Sequence, residues 1–152
     1  MNPRADLALL RRIAAGRESE ADRAVLASRL RAYLEGAPAG ATLDGTFGVA
    51  RVPGHGSWWR AEALDARDAA LRALAAAFHA GEPPARQAAA IRSALLTYAA
   101  SAWRLDRVET SPPARYIGTA REMLFDALRA CDEVPSTSHI QRILVGSRSG
   151  RC

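Results

Sequence analysis

The chain has 152 residues and a net charge of +5, and all 21 of its basic residues are arginine. That length suits one domain and can bury a core without disulfides or a structural metal. Two cysteines, Cys131 and Cys152, are too few for a disulfide framework, and the longest uncharged run, residues 93–103, falls short of the roughly 20 apolar residues that span a bilayer.

Asn2-Pro3 opens a first helix, with Asn as cap and Pro in the first turn. Leu7, Leu10 and Ile13 give it one face and Gly16 stops it. Asp6 and Arg11-Arg12 interrupt the stretch where a signal peptide would be apolar, so a cytoplasmic protein without a membrane partner is expected. Ser19 starts a second helix. Leu26, Leu30, Tyr33 and Leu34 follow its spacing, and Gly36 ends it. Arg23, Arg29 and Arg31, near Glu20 and Asp22, read as a solvated face.

Residues 37–56 hold five glycines and two prolines. Asp44-Gly45 is a hairpin signal. Short strands at Thr46-Phe47 and 49–52 are therefore expected, giving a small β-ribbon, or else a Gly-rich loop. Arg51 and His55 are its polar side chains and candidate secondary contacts. Trp58-Trp59 beside Arg60 has the chemistry to stack on bases. Anchoring of the loop to the core is the commoner use of such a pair and is the expectation here.

A third helix runs to Ala80 with Leu64, Leu71, Leu74 and Phe78 inward. His79 sits near its C-terminus, where the helix dipole favours a cation, and Gly81 ends it. Asp65 and Asp68 beside Arg67 and Arg72 read as an ion-paired surface. Pro83-Pro84 starts the most apolar helix. Ile91, Leu95, Tyr98 and Ala102 form one face of it, and Leu96, Ala99 and Trp103 form another, which places it in the middle of the fold. Ser111-Pro112-Pro113 is a stiff connector.

Thr119 and Glu122 have the spacing of a capping box. Leu124, Phe125 and Leu128 follow as one stripe. Pro135 forces Val134 out of the helical region and suits the first turn of a new helix. Ser136, Thr137 and Ser138 offer hydroxyls to the free N–H groups there. Ile140, Ile143 and Leu144 mark the buried face of this last helix. Ser138, His139, Gln141 and Arg142 turn outward.

Residues 128–130 before the break and the run VPSTSHIQRIL at 134–144 resemble the helix-turn-helix of bacterial DNA-binding proteins. The usual glycine of the turn is replaced by Asp132-Glu133. In that family the second helix enters the major groove with its early residues against base edges. The resemblance implies Ser136, Thr137, Ser138, His139, Gln141 and Arg142 as contacts. Charge agrees with it. Residues 134–152 hold Arg142, Arg148 and Arg151 and no acid, whereas residues 1–80 hold 11 arginines against 9 acids. A local excess of this kind suits a polyanion.

No Gly-rich loop has the Lys and spacing of a phosphate cradle. The three histidines and two cysteines do not pair at metal-ligand spacing on one element. No nucleophile, base and orienting group come together, so no enzyme, cofactor or metal is expected. The sequence reading is an all-α, compact bundle of five to six helices over residues 1–146. Residues 1–108 are scaffold, 119–146 the helix-turn-helix-like pair and 147–152 a disordered basic tail. The expected role is nucleic-acid binding, DNA in the first place, by a homodimer acting as a regulator or accessory factor. The rival is a non-enzymatic protein-interaction module such as an adaptor, inhibitor or small subunit.

Overall fold

The computed structural model describes residues 3–51 and 56–146. The described residues are helical and contain no strand. They form α1 (Pro3–Ala14), α2 (Glu20–Gly36), α3 (Leu43–Thr46), α4 (Trp58–Phe78), α5 (Pro84–Ala100), α6 (Trp103–Asp106), α7 (Ala120–Ala130) and α8 (Thr137–Val145), with 3₁₀ turns at Ala37–Ala39 and Ala114–Tyr116. Six of these helices have nine or more residues, and they coincide with the six read from apolar spacing. No helix among the described residues is long and apolar enough to cross a membrane. By contacts the chain falls into two compact units, Met1–Ala61 and Glu62–Cys152, with the boundary inside α4.

In the first unit α1 buries Asp6, Leu7 and Leu9. Ser19 starts α2 with a complete capping box: its hydroxyl accepts from the Asp22 N–H at 3.1 Å, and the Asp22 carboxylate accepts from the Ser19 N–H at 3.0 Å. Arg12 of α1 donates to both Asp22 oxygens, at 2.9 and 2.7 Å. These bonds, Arg12 foremost, hold the Asp22 carboxyl well below the usual carboxylate range.

Arg29 is not part of a solvated face. It pairs with the Asp6 carboxylate, donates to the Phe47 carbonyl at 3.1 Å and lies 5.9 Å from the centre of the Phe47 ring. One guanidinium therefore ties α1, α2 and the end of α3 together. The rest of α2 differs from expectation in the other direction. It buries no residue, and Leu30 and Leu34 of its apolar stripe are exposed.

The hairpin at Asp44-Gly45 does not form. Thr42 accepts the Gly45 N–H at 3.1 Å and caps a single helical turn that includes Asp44, Gly45 and Thr46. Phe47 follows as its C-cap, and residues 49–51 are irregular. A threonine cap outcompetes a hairpin signal here because it satisfies a backbone donor within three residues. The rest of the expected ribbon, Val52 and His55 included, lies outside the described residues. The burial against a core expected of Trp58 and Trp59 is not seen. They are the first residues of α4, are exposed, and pack edge to face against each other at 5.7 Å.

The second unit holds the main core. Leu71 and Leu74 of α4, Ile91 and Leu95 of α5, Phe125 and Leu128 of α7 and Ile140 of α8 are fully buried. Each such side chain contributes about 1.5–3 kcal/mol over an exposed one. α5 is the central element, against which α6, α7 and above all α8 pack. The helix expected to run on to Trp103 ends at Ala100, and Trp103 is buried from α6 instead; Leu96 of α5 is exposed, as is Phe78 at the end of α4.

Asp106, buried in α6, accepts from the Tyr98 hydroxyl at 2.8 Å, the Tyr116 hydroxyl at 2.9 Å and Arg115 at 3.2 Å. Burial, with the Asp106 carboxylate beside it, pushes the Tyr98 hydroxyl well above the usual phenol range. The expected capping box at Thr119 is displaced by a residue. Thr119 donates its hydroxyl to the Tyr116 carbonyl at 2.7 Å, and Glu122 accepts from the Gly118 N–H at 2.6 Å. The Thr119 oxygen makes no cap bond to α7.

Candidate nucleic-acid interface

α8 begins where the serines and proline set it. Pro135 is buried, and Ser136 is the N-cap, accepting the His139 N–H at 3.3 Å. The Ser136 and Ser138 hydroxyls lie 3.2 Å apart. Gly146, at φ 74°, closes the helix in the left-handed conformation, and its N–H donates to the Ile143 carbonyl at 3.3 Å. Arg72 of α4 donates to the same carbonyl at 3.2 Å, placing a cation where the helix dipole is negative.

Ile140 and Ile143 are buried and Leu144 is half-buried, so this side of α8 faces the core. With 3.6 residues per turn, Ser138, Gln141, Arg142 and Val145 fall on the opposite side, and all four are exposed. Thr137 and His139 are half-buried at the flanks, and Ser136 is exposed at the start. Six of the eight principal candidates are thus collected on one short helix and its cap. Arg148 and Arg151 lie outside the described residues, as does His55. Arg51 is exposed and belongs to the first unit.

Beneath the flank of α8 lies a polar cluster that apolar spacing did not single out. Arg67 of α4 is buried, donates to Asp68 at 3.1 and 2.8 Å, and lies 3.3 Å from Nε2 of His139. Arg67 and Asp68 are therefore ion-paired as expected, but Arg67 is covered rather than on the surface. An arginine can only donate, so Nε2 accepts and the imidazole is neutral with its proton on Nδ1. Burial, then the charges of Arg67 and Arg142, lower the His139 pKa, in keeping with a neutral ring. His139 can offer a polar contact here but no positive charge.

Asp132, in the connector beside α8, accepts from the Trp103 indole N–H at 2.7 Å. That bond fixes one of the two acids of the connector. Residues 131–136 separate α7 from α8, six in all, where a helix-turn-helix has about three or four. α8 takes its support chiefly from α5. No group of three or more metal-binding side chains occurs among the described residues. Models of protein families, curated proteins and solved structures contain no match to this chain.

Proposed function

We propose that the chain binds nucleic acid, duplex DNA in the first place, through the outward side of α8, and acts as a regulator or accessory factor. One observation carries the reading: Ser138, Gln141 and Arg142 are exposed together on a helix whose other side is fixed to the core by Ile140 and Ile143. A rigid helix that presents short polar side chains and a guanidinium has the parts that base-edge and phosphate contacts require. Arg142, with Arg148 and Arg151 further along the sequence, supplies attraction to phosphate, and Ser138 and Gln141 supply hydrogen bonds. One helix of this length reads few base pairs, so a homodimer on two half-sites completes the proposal. The test is a fluorescence titration of labelled duplex DNA at low and moderate salt. Binding that weakens with salt is expected. Absence of binding, or binding indifferent to salt, would overturn the proposal.

A second reading is favoured by different residues. Leu30 and Leu34 on α2, and Trp58 and Trp59 at the start of α4, leave apolar surface uncovered in the first unit. Uncovered apolar surface of this kind marks protein partners, which fits an adaptor, inhibitor or small subunit. Copurification of one protein in fixed stoichiometry, with no nucleic-acid absorbance in the sample, would favour this reading over the first.

A further inference from the structure

His139 stands where the outward face of α8 meets the polar cluster beneath it. Its ring is half-buried, on the flank between the buried Ile140 and Ile143 and the exposed Ser138 and Arg142. Nε2 lies 3.3 Å from Arg67, which is buried and has Asp68 as its ion-pair partner. That contact exists in one protonation state only. The Arg67 guanidinium is a donor throughout, so Nε2 must keep its lone pair, and a proton placed there sets two donors against each other.

The surroundings do not absorb the new charge. Arg67 and Asp68 of α4 and Arg142 of α8 are the charged groups that act on the ring, two cations against one acid. Asp68 already accepts twice from Arg67. Arg72 of α4 is engaged with the Ile143 carbonyl in the last turn of α8. The charged residues of α5, which packs against α8, are Arg86 and Arg92, with no acid among them. Arg67 is enclosed while His139 is partly open to water, so the ring is the partner that moves. Turned outward it lies beside Arg142, its neighbour on the helix surface at i+3. A phosphate bound at Arg142 offsets the repulsion between the two cations there.

We propose that His139 is a proton-operated switch on the α8 face: the neutral ring is held inward by Arg67, and the protonated ring turns outward and adds a cation beside Arg142 for phosphate. The switch rests on the reading of α8 as the nucleic-acid contact. Binding of duplex DNA then takes up a proton, so affinity rises as pH falls. The test uses the full chain in two measurements. In the free protein, NMR follows the His139 ring and the Arg67 guanidinium signals through a pH titration. Both should move with one midpoint, and an Arg67 signal that ignores the titration would overturn the switch. Duplex DNA is then titrated over a range of salt at about pH 8 and about pH 5. The slope of log binding constant against log salt should be steeper by about 1 at the lower pH, as one further phosphate contact requires. His139→Gln, which keeps an acceptor for Arg67 and gains no proton, should hold one slope at both. Arg67→Met, without the inward contact, should move the steepening to higher pH. Should the parent chain lose its circular dichroism at about pH 5, comparing it with Arg67→Met at about pH 6 carries the same test. Equal slopes in the parent, or a steepening that His139→Gln retains, would overturn the switch and leave the nucleic-acid reading standing. Absence of binding at either pH would remove both.

Discussion

His139 shows how a residue that reads as a surface contact acquires a second role. Its ring is held neutral by burial and by Arg67 and Arg142, while Asp68 opposes them weakly. The folded pKa is thus below the unfolded value of about 6.5. The unfolded chain then binds the extra proton first, so the contribution to stability is complete above that value and is lost as pH falls through and below it. Thermal unfolding should show a lower midpoint as pH is taken from neutral into the mildly acid range. Replacing Arg67 by Met should raise the His139 pKa toward the ordinary value, read by an NMR titration; an unchanged pKa would contradict the assigned contact. The cover over Arg67 was not read, because Asp65, Asp68 and Arg72 beside it suggested an ion-paired surface, although Leu64, Arg67, Leu71 and Leu74 share helical spacing. Asp106 was not legible, because its partners come from two other elements, Tyr98 from α5 and Arg115 and Tyr116 from the 3₁₀ turn, and no local pattern joins them. Asp106→Ala should cost about 1–3 kcal/mol for each tyrosine hydroxyl left without its acceptor, measurable by urea unfolding.

The long helices were legible because spacing and stops agree. Gly16, Gly81 and Gly146 all take positive φ, and Ser19 and Ser136 both cap as their positions suggest. The core stripe of Leu71, Leu74, Ile91, Leu95, Leu124, Phe125, Leu128, Ile140 and Ile143 is buried as read. Periodicity says that a helix has an apolar side, not that another element will cover it. For that reason α2 reads like its neighbours yet buries nothing. Asp44-Gly45 differs for another reason: the pair suits a hairpin, but Thr42 supplies a cap at the right spacing for a helical turn. For α8 the stability consequences are direct. Ile140→Ala should cost about 2–5 kcal/mol, since the side chain is wholly enclosed. Gly146→Ala should cost roughly 1 kcal/mol from strain at positive φ, because open space surrounds the position and no clash adds to it. A Gly146→Ala variant as stable as the parent would contradict the cap.

At the scale of the molecule, the net charge of +5 is uneven, and the last stretch carries arginines without acids. Charge distribution alone argues for a polyanion partner and not for which one. In the proposed reading the α8 face adds short polar side chains to that attraction. The exposed side of α8 was legible in part: spacing put Ser138, Gln141 and Arg142 outward, but the engagement of His139 depends on Arg67, 72 residues away. The central claim is that Arg142 on α8 meets phosphate. Its most direct test is the slope of log binding constant against log salt for duplex DNA, compared between the parent chain, Arg142→Ala and Arg86→Ala. The account predicts a slope shallower by about 1 for Arg142→Ala and unchanged for Arg86→Ala. Identical slopes for all three would contradict it.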